Sequence, residues 1–224
     1  MADKYYTEKL AAERLQRVYD FAPPRIRQYL RAEIDFVLDQ MSPGAAVLEL
    51  GCGFGRVLGP LAGKAGMLLG IDTSMTSLRL ARRILVDHPS IYLACMDASC
   101  TGLRAGSFDL VVCIQNGISA FQVDQMKLIC EAVRVTRCGG VVLFSSYADD
   151  FWDVRLDWFE RQAKLGLVGE IDREKTGNGV LVCKDGFRAT TVGAGKFREL
   201  TARLDADVEI VEVDQSSIFC VIRP

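Results

Sequence analysis

The apolar run Ala45 to Leu50 ends directly in Gly51-Cys52-Gly53-Phe54-Gly55, and no other feature of the chain restricts its fold as much. A strand delivered into alternating glycines must turn sharply. Glycine permits that turn and also lets a second group lie against bare main chain. Arg56 to Ala65 then reads as a helix, so the first unit is strand, tight loop, helix.

The unit repeats. Met67 to Ile71 reads as a second strand, Asp72-Thr73-Ser74 as a turn with Ser74 placed to cap a helix, and Met75 to Val86 as that helix. Ile91 to Cys95 and Phe108 to Ile114 follow as strands. A helix from Val123 to Arg137 stops at Gly139-Gly140 before a fifth strand, Val141 to Ser146. Upstream, two helices fill Tyr5 to Met41, broken at Pro23-Pro24 and set off by Ser42-Pro43-Gly44. Strands alternating with helices at this spacing predict a doubly wound, mostly parallel sheet covered on both faces.

After Ser146 the rhythm changes. Asp149 to Leu165 has the pattern of an amphipathic helix. Gly169 to Thr176 and Val180 to Val192 read as strands joined by the hairpin chemistry of Gly177-Asn178-Gly179, making 149–192 an insertion. A short helix, Lys196 to Leu204, leads to strands Val208 to Val213 and Ile218 to Ile222. Their link, Asp214 to Ser217, is so tight that they must be antiparallel neighbours. The expected class is α/β, seven strands with the last antiparallel, in a single domain of 1–224 whose residues 1–41 form a helical lid.

Composition sets limits on partners. A net charge of -2 and a pI near 5.6 give no basic field to draw the chain to nucleic acid or anionic membranes. The longest apolar runs, such as Gly139 to Phe144, fall far short of the ~20 residues of a membrane span. Met1-Ala2-Asp3-Lys4-Tyr5-Tyr6 lacks the apolar core of a secretory signal, so a cytoplasmic protein is expected. Monomer and homodimer both fit, the inserted hairpin offering an edge for pairing. Of the eight cysteines, Cys113, Cys138, Cys183 and Cys220 lie in or beside strand-like runs and read as small core residues. A thiol cluster for a soft metal would have Cys95 and Cys100 as its nearest pair. The sole histidine, His88, precedes Pro89 in a turn at the amino end of the sheet, which leaves no imidazole for a metal site or a serine-histidine triad.

Four segments carry a resemblance: Val47-Leu48-Glu49-Leu50-Gly51-Cys52-Gly53-Phe54-Gly55, Gly70-Ile71-Asp72-Thr73-Ser74, Cys95-Met96-Asp97-Ala98 and Phe108-Asp109-Leu110-Val111-Val112. In that order and spacing the chain resembles the class I S-adenosylmethionine-dependent methyltransferases, from about Ala45 to Tyr147 and over the closing hairpin. The resemblance implies a Rossmann-like methyltransferase fold, S-adenosyl-L-methionine as cofactor, and in-line transfer of its methyl group to a small-molecule acceptor.

Chemistry supports the parts. Gly51 and Gly53, with Cys52 between them, form the turn, and the helix after it is expected to aim free amides at the carboxylate of the methionine moiety. Asp72 lies 21 residues after Gly51, where an acid can take both ribose hydroxyls, with Thr73 and Ser74 beside it. By resemblance, Glu49 holds the amino acid end, Asp97 accepts from the adenine amino group, Ala98 offers its amide to the ring, and Met96 flanks it. Gln115, Asn116 and Gly117 end the fourth strand at the switch point of the sheet, beside the reacting methyl and the acceptor. Gln115-Asn116-Gly117-Ile118 departs from the Asn/Asp-Pro-Pro-aromatic signature of enzymes that methylate nucleic acid amino groups, which argues against a base-modifying role.

Other readings compete. A nicotinamide oxidoreductase shares the glycine turn but usually has a third glycine where this chain has Arg56. A binding module would keep the fold and dock a partner protein. Asp72 can serve merely as a helix cap, and Asp97 as an ordinary loop carboxylate. Phe151, Trp152, Trp158 and Phe159 fit core or lid packing better than a cage for a cation. A general base, if one is used, would come from residues such as Tyr19, Asp149 or Glu174.

Overall fold

The computed structural model describes residues 5–224; residues 1–4 of the expected lid lie outside it. A short π-helix, Tyr5–Lys9, precedes α1 (Ala12–Asp20) and α2 (Pro24–Gln40). Then follow β1 (Ala46–Leu50), α3 (Leu58–Leu61), β2 (Met67–Asp72), α4 (Met75–Ile84), β3 (Ile91–Cys95) and β4 (Phe108–Cys113). The chain continues through α5 (Gly117–Ala120), α6 (Gln125–Val135), β5 (Thr136–Tyr147) and α7 (Trp152–Lys164). It closes with β6 (Leu181–Val182), β7 (Arg188–Ala189), α8 (Ala194–Thr201), β8 (Asp207–Val213) and β9 (Ser217–Arg223).

The seven-stranded sheet has the order β3-β2-β1-β4-β5-β9-β8. β1 to β5 pair in parallel, and β9 lies antiparallel between β5 and β8, as the tight link before it requires. The order reverses between β1 and β4, so a crevice opens at their carboxyl ends.

Successive side chains of a strand face opposite sides, and β1 shows why both faces must be covered. Val47 joins a core with Leu58, Leu61 and Leu78, whereas Leu48 joins one with Leu128, Ile129 and Ala132. The same alternation puts Glu49 on the Val47 face at the strand's last turn. A third core lies over the carboxyl edge: Tyr5, Val18, Ile26 and Tyr29 of the N-terminal helices pack against Tyr147, Phe151, Trp158, Phe159 and Phe187. Three of the four aromatics at helical spacing are thus buried in the packing between lid and insertion.

Three segments differ from the sequence reading. The helix expected over Arg56 to Ala65 is regular only at Leu58–Leu61, because Gly59, Pro60 and Gly63 weaken it and Pro60 supplies no amide. The helix expected to end at Arg137 stops at Val135. Thr136 closes it by turning its Oγ1 back to the Ala132 carbonyl (2.8 Å), and it already pairs with Phe108 in β5.

In the insertion, Gly177-Asn178-Gly179 does turn, Gly177 and Val180 exchanging bonds of 2.8 and 2.9 Å. The long strands expected on either side reduce to isolated bridges, Gly177 with Val180 and Ile171 with Cys183. Thr176 Oγ1 takes both the Val182 amide and its carbonyl, filling a ladder position with a side chain. The regular pair is instead β6 with β7.

Candidate functional site

A cavity of about 540 Å³ occupies the crevice. Gly51 and Gly53 bend the chain below it with φ of +75° and +53°, a region that favours glycine. A side chain at Gly51 would overlap the Phe121 ring, which packs against the bare main chain. The amides of this turn are not free. Those of Gly51 and Cys52 both donate to the Ile71 carbonyl (2.8 and 2.9 Å), and that of Gly53 donates to Asp72 Oδ2 (2.8 Å). The expected cradle of helix amides is therefore absent at these three positions, and with α3 only four residues long there is no helix dipole to aim.

Side chains supply the polarity instead. Glu49 is buried, and its Oε2 has no hydrogen-bond partner among the described residues. Burial pushes its carboxyl up to about 8, opposed by Arg56 and reinforced by Asp72. Arg56 Nη2 is likewise buried without a partner among the described residues, and its guanidinium lies 4.8 Å over the Tyr19 ring. An acid and a base, each with an unmet polar atom, thus line one end of the cavity.

Asp72 ends β2 at the middle of the cavity wall. Oδ2 accepts from Gly53 and Oδ1 from the Ser74 amide (2.7 Å), so it braces the glycine turn and the start of α4 together. Burial raises its pKa, and the amides of Ser74, Gly53 and Thr73 hold it down. A carboxylate has about four lone-pair sites, and these three amides leave at least one open for a ligand. Ser74, not Asp72, is the side-chain cap of α4, accepting from the Ser77 amide at 3.3 Å. Thr73, Met96, Asp97 and Ala98 form the opposite end of the cavity. Asp97 Oδ1 accepts from the amide and hydroxyl of Ser99, both at 2.8 Å, which fixes an otherwise exposed carboxylate.

At the end of β4, Gln115 and Asn116 are consecutive left-handed residues with φ of 58° and 61°. The Gln115 amide donates to Ser145 Oγ (2.8 Å) and Glu33 Oε2 (3.0 Å). Asn116 accepts from Ser146 Oγ (2.7 Å) and donates to the Thr190 carbonyl (2.9 Å). Strained backbone of this kind persists only where its surroundings over-determine it, and these four bonds do so. Gln115 and Gly117 line the cavity; Ser74 and Asn116 are buried behind the wall.

The sequence reading missed Glu33, although it lies in the apolar stripe of α2 with Tyr29, Leu30, Ile34 and Val37, where a charge has no reason to be unless it is bonded. It is fully buried, also accepts from Ser217 Oγ (2.9 Å), and burial pushes it up to about 7. Tyr6, Leu15 and Tyr19 from the N-terminal segment roof the cavity. Asp149, Glu174 and His88 are not among its lining residues. Of the cysteines, Cys52, Cys113, Cys183 and Cys220 are buried, whereas Cys138 is exposed at the outer end of β5. Among the described residues no three of His, Cys, Asp and Glu gather around a point that could hold a metal ion, so Cys95 and Cys100 have no further ligand.

Residues 47–140, from β1 to the first half of β5, match a family model for the methyltransferase domain. Over these residues, less than half of the chain, it is similar to a methyltransferase domain. The 2-methyl-6-phytyl-1,4-hydroquinone methyltransferase of Synechocystis is 28% identical to it over 158 residues, which is 66% of this chain and 49% of that protein. A ubiquinone biosynthesis O-methyltransferase of Thiobacillus denitrificans is 30% identical over 105 residues, 46% of this chain and 44% of that one. The chain spans about half the length of both relatives. Among solved structures, the N-methyltransferase NodS from Bradyrhizobium japonicum, in complex with S-adenosyl-L-homocysteine, aligns with a TM-score of 0.65 at 19% identity over 99% of this chain and 98% of its own. That likeness is one of fold. No helix among the described residues is long and apolar enough to cross a membrane.

Proposed function

We propose that the chain binds S-adenosylmethionine in this cavity and transfers its methyl group to a small-molecule acceptor. The observation that carries the reading is the pair of unmet buried atoms, Glu49 Oε2 and Arg56 Nη2, beside the bare glycine turn. Arg56 suits the carboxylate of an amino acid, and Glu49, which a bound ammonium would draw into its ionised form, suits the amino group; charge-assisted bonds of this kind are the strong ones. Asp72, with Thr73 next to it, is assigned the ribose hydroxyls; Asp97, Ala98 and Met96 the adenine; Gly51, Cys52 and Gly53 the floor; Gln115 and Gly117 the methyl end. Ser74 and Asn116 act one layer back, holding Asp72 and the β4 turn in place.

When bound, the sulfonium supplies a methyl group that is already activated and a neutral leaving group. The residues need only align, enclose and exclude water. Residues 1–41 are assigned the part of a lid, since Tyr6, Leu15 and Tyr19 close the cavity, and 149–192 that of its support. The acceptor is a small molecule, in keeping with the hydroquinone and ubiquinone-pathway relatives. All eight cysteines are free, which supports a reducing compartment such as the cytoplasm.

The test is incubation with methyl-labelled S-adenosylmethionine and a small-molecule extract. Label should appear in a new low-mass product together with S-adenosylhomocysteine. Tight donor binding with no transfer above background would favour a docking module instead.

A further inference from the structure

We propose that the acceptor is an aromatic molecule bearing an acidic oxygen group, and that this group enters a small chamber behind Gln115, in the field of Arg155. The inference rests on the donor reading above and names the acceptor class for the same site.

The chamber, about 50 Å³, shares Tyr6, Leu15, Tyr19 and Gln115 with the large cavity. These four residues therefore mark the junction between the two spaces. A space of ~10–15 Å³ admits one water-sized atom, so the chamber takes about three to five. That suits a carboxylate or the oxygen-bearing edge of a ring, with the ring body lying at the junction between Tyr6, Tyr19 and Gln115.

Its polar atoms define what it accepts. Gln115 Nε2 and Gln162 Nε2 line the chamber, are buried, and have no hydrogen-bond partner among the described residues; the Tyr29 hydroxyl beside them is turned toward Tyr147. Both amide nitrogens carry hydrogens to donate. A buried donor left unmet costs about 1–3 kcal/mol, and a ligand oxygen meets it. The remaining walls are apolar: the rings of Tyr147, Trp158 and Phe159, and the aliphatic Leu10, Val18 and Leu30.

Charge decides between an anion and a cation. A ring-lined chamber would suit a quaternary ammonium, but a cation already sits against these rings. Arg155 of α7 is fully buried, with its guanidinium 4.3 Å from the Tyr147 ring and 5.9 Å from that of Phe159. Its Nη1 donates to Thr191 Oγ1 (2.9 Å) and the Gly179 carbonyl (3.2 Å), while Nε and Nη2 have no partner among the described residues. No carboxylate among the described residues forms an ion pair with it. The groups that bear on it are Tyr147, Tyr29 and Tyr6. Glu33 and Glu49 face Arg56 instead. A buried cation without a counter-ion is costly. Arg155 lies behind the Tyr147 and Phe159 walls and does not itself line the chamber, so an anionic acceptor group relieves that cost through its field and not by direct contact.

Calorimetry on the full chain saturated with S-adenosylhomocysteine tests this with four ring probes of similar size: 4-hydroxybenzoate, 4-nitrophenol, 4-hydroxybenzamide and 4-hydroxybenzylamine. At a pH where the first two are ionised, at least one should bind ten times or more tighter than the neutral amide and the cationic amine. Preference for the benzoate identifies a carboxylate, and preference for the nitrophenol a phenolate. Arg155→Met should erase the preference while leaving S-adenosylhomocysteine affinity unchanged. Should that variant fail to fold, Gln162→Leu should weaken the preferred anion three- to tenfold. Equal binding of amide or amine, or no ring binding to donor-product-loaded protein, overturns this inference alone. Failure to bind S-adenosylhomocysteine overturns the donor reading and this one with it.

Discussion

Replacing Asp72 is the most informative single perturbation of the site. Its oxygens accept backbone amides, from Gly53 at 2.8 Å and Ser74 at 2.7 Å, with the Thr73 amide also acting on it. The lone-pair site left open is the one assigned to the ribose. Asp72→Asn keeps the shape but swaps one acceptor oxygen for a donor nitrogen and removes the charge. A hydrogen bond to a charged group contributes about 1.5–3 kcal/mol, and each 1.4 kcal/mol is about tenfold in affinity. The variant should therefore bind S-adenosylhomocysteine about 10- to 100-fold more weakly. Asp72→Ala removes both acceptors and should exceed tenfold. Folding stability should move less than binding in the Asn variant, because burial already disfavours the ionised Asp72 and losing the charge removes that desolvation. Titration calorimetry alongside thermal melts separates the two effects. Unchanged affinity in a folded Asp72→Asn and a folded Asp72→Ala protein would refute the ribose assignment.

The remaining predictions concern the buried acids and the turn. Burial holds Glu49 at about 8 and Glu33 at about 7, both raised from 4.5. Such groups add relative stability that is complete below the unfolded value and is lost as pH rises through the folded one. The ligand-free melting temperature should thus decline between about pH 5 and 8, and Glu49→Gln should flatten the decline; an identical pH profile in the variant would contradict the assignment. Glu33→Ala leaves the Ser217 hydroxyl unmet in the core and takes from the Gln115 amide one of its two acceptors. It should cost about 2–4 kcal/mol by denaturant unfolding, and a loss under about 0.5 kcal/mol, the usual range for a surface change, would show that Glu33 does not anchor the turn. Gly51→Ala adds a left-handed penalty of about 1–2 kcal/mol and a clash with Phe121. It should lower the melting temperature and donor affinity together, with Phe121→Ala restoring part of the stability; no loss of either would contradict the close packing at the turn.

Much of the fold was legible because its signals are local. Apolar runs at regular spacing fixed the parallel strands, and the tight link Asp214 to Ser217 fixed the antiparallel end. What was not legible depended on side chains reaching across the sequence. Thr176 replaces backbone partners in the insertion, and no periodicity reports that. Pro60, a local signal, shortens the helix after the glycine turn. Glycines, Asp72 and Gln115 announced a site by position, but the bonds that occupy the turn's amides came from Ile71 and Asp72, a strand away. The polarity of the cavity accordingly rests on Glu49 and Arg56. In the sequence Arg56 shows only as the absence of a third glycine. Glu33 and Arg155 are charges within otherwise apolar helix faces, a local signal whose meaning required the third core to be seen.

Donor binding is the central proposal, and equilibrium dialysis of the folded chain against radiolabelled S-adenosylmethionine measures it directly. One equivalent should be retained per chain, displaced by S-adenosylhomocysteine and not by reduced nicotinamide dinucleotide. Protein that melts cooperatively yet retains no label would contradict the account at its root.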